Sequence, residues 1–497
     1  MGKVRTKTIP FPVKGWNTRD PLEDMDPQYA VELVNVFPRA RDGALRKGFA
    51  VHGTGMGTGA VPTLLEYSAE TGTRDLIACA NGKVYEATVA GAATEIGTGF
   101  SENRWQGVNM NSKLLMCNGT DQPQQWDGTT LSAATYTGVT DNNLIVFAVY
   151  KSHLYAAEKN SQSIWWVTTG GAITGAMTEY DMGPLLKLGG SPLWVGSWTC
   201  DSGDGLEDML LVCSNMGELL TFQGDNPGAT NWSIAGRYYI PRPLGRRSLV
   251  SYGGEAAIIT QYGFIPVSQI VQKNNDREAY ENIVPINDAF RQAAELYGDN
   301  SGWEAIQYPK GNMLIVNVPL ASNTAAEQFV MNALTGAWCR FTGVQATCWG
   351  TLNDAAYFGG TDGKVYKFDS GETDNGSAIQ ATISTAYNYF GDDASIKRFT
   401  LLRPFITSTD AVSLKLGVDV DFQGRRLAET ATTVGAGGTP WGSPWGSPWS
   451  PNESPRAEWF CIEGIGRAAS AQLRGDFSDL SLSLSAFSIN YELGGMF

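Results

Sequence analysis

The sequence predicts a mainly β chain with a β-propeller-like middle that carries one inserted helix, followed by a C-terminal β-sandwich or sheet domain. Three observations carry that expectation. The first is composition: charged residues are only 17% of the chain, against roughly 25% in an average soluble domain. Their place is taken by 58 Gly and by Thr, Ser and Asn, together with 15 Trp, 19 Tyr and 20 Phe. Gly supplies the positive φ angles of tight turns, and aromatic and β-branched side chains suit pleated surfaces. The second is a recurring theme between residues 50 and 375, in which a short apolar strand runs into a turn and then an aromatic-bearing strand. The third is the turn chemistry of that theme. DLIACANGKVYEAT (Asp75–Thr88) and AAYFGGTDGKVYKFDSG (Ala355–Gly371) share N/D-G-K-V-Y, the signature of a two-residue type I′ hairpin.

Further copies are KLLMCNGTDQPQQWDGTTL (Lys113–Leu131), MLLVCSNMGELLTFQG (Met209–Gly224) and AAIITQYGFIPVS (Ala256–Ser268). The repeat length is irregular but near about forty residues where clearest, the size of a four-stranded blade. Radial repetition also leaves few open sheet edges, which favours a propeller over stacked sandwiches.

The remaining segments follow in order. Pro10, Pro12 and Gly15 make the start an extended arm. In DPQYAVELVNVFP (Asp26–Pro38), Asp26 as N-cap, Pro27 at the first helical position and a closing Pro38 predict a short docking helix. RARDGALRKGF (Arg39–Phe49) is a basic cluster around a D-G turn, a hairpin and the best candidate for contact with an acidic partner. In VPINDAFRQAAELYGDN, Phe290, Ala294 and Tyr297 recur at helical spacing and Gly298 stands at the cap, predicting a helix near 287–298. After residue 375, alternation in Ser377–Phe390, Ser413–Phe422 and Leu480–Leu493 predicts half-buried strands. Between them, Gly435–Pro455 holds a tandem P-W-G-S repeat. Its prolines force an extended loop, and Trp441, Trp445 and Trp449 either fold back on the domain or bind a neighbouring subunit, which makes them the candidate interface residues. The expected domains are an arm with its helix over 1–50, the propeller-like domain over 51–375 and the β domain over 376–497.

Charge and chemistry narrow the function. A net charge of −14 does not suit a protein that grips DNA phosphates with Lys and Arg. Seven cysteines stand singly, without C-x-x-C spacing, and His52 and His153 are the only histidines, so no zinc site or cofactor is expected. Scattered thiols suit a reducing cytoplasm. No apolar signal region follows Met1, and the longest apolar run, Leu144–Tyr150, is far too short to span a bilayer. P-loop, G-x-S-x-G and H-E-x-x-H motifs are absent, so no enzyme is expected. His52 and His153 read as structural, and Asp392–Asp393 and Asp419/Asp421 as solvated carboxylates rather than a calcium site. In FVMNALTGAWCRF (Phe329–Phe341), a Thr335-Gly336 turn before Trp338 resembles the turn with which some propellers seal adjacent blades.

Three stretches together resemble a known family: Gly15–Phe49; the run from the inserted helix through Tyr308–Pro319 and Phe329–Phe341 to Ala355–Gly371; and SINYELGG, Ser488–Gly495. In this order they are similar to tail nozzle or tail-hub proteins of short-tailed bacteriophages, the podoviruses, related to packaged-DNA stabilisation proteins. The resemblance implies a hexameric ring below the portal and adaptor proteins. Such a ring continues the DNA channel, retains the genome and docks tail fibre or tailspike proteins. Double-stranded DNA would pass without sequence-specific binding, and the protein would reside in the virion tail without stable membrane insertion. The P-W-G-S repeat has no place in that pattern. A carbohydrate-binding propeller, or a tail-associated glycan-binding or glycan-hydrolysing protein, is the alternative, because exposed Trp also serves glycans.

Overall fold

Short hairpins set the architecture. Asn81 and Gly82 take φ of 53° and 71° between the strands Arg74–Ala80 and Lys83–Glu86, the two-residue turn read from the sequence. The other N/D-G-K-V-Y copy differs: Ala355–Gly359 and Val365–Phe368 are joined by five residues, of which Gly363 has φ 72°. The computed structural model describes residues 4–201, 206–273, 284–424, 432–434 and 454–494, arranged in two compact units. One comprises 51–327 and 345–367; the other comprises 1–50, 328–344 and 368–497.

Among the described residues the first unit is a propeller of seven blades, the sixth formed by strands of a larger sheet. Blade 1 is Thr63–Ser68, Arg74–Ala80, Lys83–Glu86 and Thr94–Thr98; blade 2 is Gln106–Met110, Lys113–Cys117, Gln124–Trp126 and Leu131–Ala133. Blade 3 is Leu144–Tyr150, His153–Glu158, Ser163–Val167 and Gly175–Asp181; blade 4 is Pro192–Asp201, Leu206–Ser214, Glu218–Gln223 and Ser233–Tyr239. Blade 5 has three strands, Leu249–Tyr252, Glu255–Thr260 and Gly263–Pro266, followed by helix α1, Val267–Lys273. Helix α2, Asn287–Tyr297, leads to blade 6, which opens with Glu304–Tyr308 and Met313–Ala321. Blade 7 is Cys348–Leu352, Ala355–Gly359 and Val365–Phe368, and its outer place is taken by the unit's opening strand, Phe49–Thr54. Successive blades pack through their inner strands in cyclic order, and blade 7 returns to blade 1. The circle is therefore closed both by packing and by strand exchange between the ends of the unit.

The core lies in layers between blades. Ile77, Cys79 and Val84 of blade 1 meet Leu114, Met116 and Trp126 of blade 2, and comparable clusters join blades 2 and 3, 3 and 4, 4 and 5, and 7 and 1. Each buried Leu or Ile contributes about 1.5–3 kcal/mol by leaving water. Polar ties fix the register: Trp126 Nε1 donates to Asp75 at 2.9 Å, and Tyr67 Oη donates to the carbonyls of Ser112 and Asp127. Tyr150, the corresponding residue of blade 3, donates in the same way to Asp208 and Gly224 of blade 4 and its outgoing loop.

The second unit is a β-sandwich, and it corrects the expected domain plan. In one sheet, the C-terminal strand Leu482–Leu493 pairs with Lys397–Ser408 on one edge. On the other it pairs with Val4–Pro10 and Gly43–Leu45. In the other sheet, Tyr29–Val34, Ile379–Thr385, Ala469–Phe477 and Val412–Val420 lie side by side. The strands of residues 4–50 thus belong mostly to the same unit as the C-terminal region, not to a free arm. The helix expected over Asp26–Pro38 is instead two successive strands, Tyr29–Val34 and Val36–Pro38, in different sheets. Asp26 does cap, but it caps a turn: its carboxylate accepts the Gln28 N–H and the Lys14 ammonium, while its carbonyl accepts the Tyr29 N–H. Asn35, at φ 57°, then breaks the run between the two strands. Trp338 is buried in this unit, where it heads the strand Trp338–Phe341 beside Gly15, so it seals no pair of blades.

Candidate functional site

The propeller's inner strands begin around one buried polar network. Gly245, at φ 85°, turns the loop between blades 4 and 5 so that Arg246 and Arg247 precede the inner strand of blade 5. Arg247 donates to Glu304 at 2.7 Å, to Thr63 Oγ1 at 2.9 Å and to the Trp105 carbonyl at 2.6 Å. Glu304, 4% exposed, accepts the Trp349 backbone N–H with its other oxygen. One guanidinium therefore links the starts of blades 1, 2 and 5, and through Glu304 reaches blades 6 and 7. A buried pair so fully hydrogen-bonded holds its geometry because removing either partner strands a charge away from water.

Beside this network lies a cavity of about 280 Å³. Leu64, Val146, Leu249 and Ile306 form apolar walls, and Trp194 and Trp349 add indole faces. Both indole N–H groups are already used, on Ser248 Oγ at 3.0 Å and Asn317 Oδ1 at 3.1 Å. Arg246 and Arg247 also line the space. Arg104, on the segment entering blade 2, carries a buried Nη1 with no hydrogen-bond partner among the described residues. Burial, with the charge of Arg247 beside it, pushes the Arg104 guanidinium down to about 10, and burial also lowers that of Arg246. Arg246, Arg247 and the paired carboxylate of Glu304 thus line one space in a chain of net charge −14, with Arg104 buried close to Arg247. None of these residues stood out in the sequence; the only local signal is the Arg246-Arg247 pair after a glycine.

The residues that did stand out serve the framework. His52 Nε2 lies 3.0 Å from the Ala87 carbonyl, and His153 Nδ1 lies 2.9 Å from that of Val167. Cys79, Cys117, Cys213 and Cys339 are fully buried, and burial drives their thiols well above the ordinary range; Cys348 is raised to about 12. Such thiols are packing groups, not nucleophiles. Asp419 accepts the Tyr387 hydroxyl at 2.7 Å. Asp421 sits in a turn at φ 48° and accepts the N–H groups of Arg467 and Ala468. Asp392 accepts the N–H groups of Ala394 and Ser395. Asp421, Asp392 and Asp393 also line a 750 Å³ cavity of the sandwich with Glu23 and Asp24. Among the described residues no group of three His, Cys, Asp or Glu is placed to hold a metal, and no helix is long and apolar enough to cross a membrane. In the basic cluster, Arg39 grips Asp42 through two bonds and Arg46 is buried on Asp374 and Asn35. Both cations are thereby matched within the unit. Trp441, Trp445 and Trp449 lie outside the described residues.

No family model and no curated protein matches the chain. Among solved structures, PorZ of Porphyromonas gingivalis, an essential bacterial surface component of the type-IX secretion system, overlaps at 11% identity and a TM-score of 0.36, covering 68% of this chain. The chain spans 42% of PorZ's length. The computationally designed Ika8 protein overlaps at 12% identity and TM-score 0.37, with 64% of this chain and 99% of that chain covered. The WD40 domain of Neurospora crassa Pan2 overlaps at 8% identity and TM-score 0.39, with 67% and 97% covered. At these scores the overlaps carry no functional argument, and the propeller description rests on the closed circle of inner strands.

Proposed function

We propose that this chain is a structural component of a short bacteriophage tail, a nozzle subunit that assembles as a hexamer below the portal and adaptor. It continues the DNA channel, retains the packaged genome and docks tail fibres or tailspikes. The observation that supports this reading best is the Arg247 network. Arg247 and Glu304 are committed to tying blades 1, 2, 5, 6 and 7 together, which suits a rigid part that transmits force. The resemblance adds to it. Gly15–Phe49 and the described part of Ser488–Gly495, two of the three stretches that suggested the family, belong to one unit, the sandwich, while the middle run lies mostly in the propeller. The acidic balance suits a conduit that lets DNA slide without binding it.

Reconstitution with portal and adaptor, followed by mass measurement, tests the proposal. Six copies of 53.6 kDa add a ring of about 320 kDa. A ring of another order would sink it. In the same assay, replacing Trp441, Trp445 and Trp449 together by Ser is expected to weaken subunit or fibre attachment, and unchanged assembly would remove the loop from the interface.

A further inference from the structure

We propose that the polar face of one sandwich sheet, the sheet holding Val412–Val420 and Ala469–Phe477, binds an acidic oligosaccharide. Asp419 accepts from its hydroxyls, Lys415 and Arg474 meet its carboxylate, and Tyr387 and Phe422 offer ring faces. The inference is independent of whether the chain builds a tail ring.

Strand alternation builds the site. Leu414, Leu416 and Val420 are buried, so Lys415 and Asp419 stand on the opposite face of their strand. Register places Arg474 opposite Lys415 and Ser470 opposite Asp419, then Thr382 opposite Arg474 and Ser384 opposite Gln472. These polar residues line a second cavity of the sandwich, of about 750 Å³. Leu22, Tyr387 and Phe422 add apolar walls to it.

An orphaned acceptor carries the inference. Asp419 is 1% exposed. Its Oδ2 takes the Tyr387 hydroxyl at 2.7 Å, whereas its Oδ1 is buried with no hydrogen-bond partner among the described residues. A carboxylate oxygen kept from water in this way is costly unless a donor meets it. Lys415 and Arg474 pose the converse demand. They face each other across neighbouring strands with no ion pair among the described residues, an arrangement that repels unless an anion meets both. Glu32, the other carboxylate on the wall, is bonded to Arg340 at 3.3 Å.

These demands define the ligand class. A metal ion would meet the charges of Lys415 and Arg474, and a simple oxyanion would leave Asp419 without a donor. The ligand must therefore both donate and carry negative charge. Lys415 and Asp419 are four residues apart on one strand, a span of roughly 13 Å that a chain of sugar rings covers and a single ion does not. Phe422 stands at φ 60°, in the left-handed region that bulky residues rarely take, and its ring centre lies 4.4 Å from that of Tyr387. Such a pair presents an apolar surface to the C–H face of a pyranose. The Gln472 amide, without a side-chain partner among the described residues, supplies both donor and acceptor for neighbouring hydroxyls. A volume of about 750 Å³ lies within the range of small-ligand sites.

The test uses the purified full-length chain with a galacturonic acid trimer, a hyaluronan tetrasaccharide, maltotriose and succinate at matched ionic strength. Calorimetric titration is expected to show one saturable site for an acidic saccharide, binding of maltotriose at least about tenfold weaker, and none for succinate. Asp419→Asn keeps an acceptor for Tyr387 and removes the unpartnered buried charge. Without saccharide its Tm is therefore expected to equal or exceed that of the parent chain, while its affinity for the acidic saccharide falls at least about tenfold. Lys415→Met is expected to narrow the preference for the acidic saccharide over maltotriose. Absence of a saturable site for both acidic saccharides overturns the proposal, and so does equal binding of succinate, which needs no sugar. An Asp419→Asn chain that is less stable without saccharide yet retains the parent's affinity also overturns it, for that is the behaviour of a purely structural carboxylate. Should Asp419→Asn fail to fold, the parent titration and Lys415→Met decide the matter.

Discussion

The propeller and the sandwich are both antiparallel β structures, yet they are assembled in opposite ways. In the propeller most pairings join strands a few residues apart. Leu144–Tyr150 and His153–Glu158, for example, are separated by two residues. In the sandwich one of the strands that pair with Leu482–Leu493 begins at Val4, and Asn35 donates to a carbonyl 345 residues away. Local pairing requires closure of only a short loop, whereas the sandwich must bring chain ends together before its contacts form. The propeller is then completed at two places where distant groups meet, the Phe49–Thr54 strand and the Arg247 network.

If that network is what locks the local hairpins into a circle, Arg247→Met produces the largest effect. It leaves Glu304 buried without its cation and leaves Thr63 and the Trp105 carbonyl short of a donor, at a cost of about 3–5 kcal/mol. Two-transition calorimetry or urea unfolding is expected to show the loss in the propeller, with the sandwich transition unchanged. Adding Glu304→Gln should restore part of it, since the stranded charge is then removed. A loss spread equally over both units would mean that the units unfold together and the contrast between them is only geometrical.

That division also explains what could be read in advance. Hairpin chemistry is local, so the Asn81-Gly82 turn and the helix over Asn287–Tyr297 were legible residue by residue. The irregular repeat was not countable because several turns carry no glycine. Asn111-Ser112, Lys151-Ser152 and Asn353-Asp354 all hold two positive φ values, yet none of the three has the expected N-G or D-G form. The segment Asp26–Pro38 failed for a different reason. An Asp followed by Pro opens a turn as readily as a helix, and the strands that fix Tyr29–Val34 lie partly some 350 residues downstream. The axial site was illegible because Thr63, Arg104, Arg247, Glu304 and Trp349 come from separate inter-blade loops and inner-strand starts, with no spacing to recognise.

Alkaline pH separates the units by a second route. Cys79, Cys117, Cys213 and Cys348 are buried in the propeller, against Cys339 in the sandwich, and burial raises each thiol above its ordinary value of 9.0. The unfolded chain therefore releases these protons first, so folded stability is intact below pH 9.0 and falls as pH rises above it. At about pH 9.5 linkage gives about 0.8 kcal/mol per thiol, hence about 3 kcal/mol for the propeller and under about 1 for the sandwich. Buried cations act the other way in both units: Lys397 in the sandwich, and Arg104 and Arg246 in the propeller. Lys397 is buried with its ammonium on the carbonyls of Asp392, Ser395 and Arg467, and burial lowers its pKa below 10.5. The penalty of burying that charge is fully present at neutral pH and is relieved as pH rises through the lowered value, so it offsets part of the thiol loss. Thermal unfolding at pH 8 and about 9.5 is expected to bring the propeller transition down further than the sandwich transition. Equal shifts would assign the alkaline response to groups shared by both units.

The smallest effect tests the hairpins themselves. Asn353 and Asp354 join the first two strands of blade 7 with φ of 49° and 60°, a type I′ geometry in which the second residue is best served by glycine. Asp354 is exposed, so nothing in the packing obliges a side chain there. Asp354→Gly relieves left-handed strain but gives the unfolded chain more freedom, and these terms oppose one another. At a position already held at positive φ the strain term is the larger, so the propeller is expected to gain about 0.5–1 kcal/mol, read as a higher urea midpoint with an unchanged slope. The same exchange in the sandwich, Asp479→Gly at φ 56°, lies in the connection between Ala469–Phe477 and Leu482–Leu493, strands of two different sheets. It is expected to give less, because that turn joins strands whose register is set by distant partners. Equal gains at both sites would show that turn strain acts independently of how a unit is assembled, and the distinction between local and distant construction would then concern folding order alone.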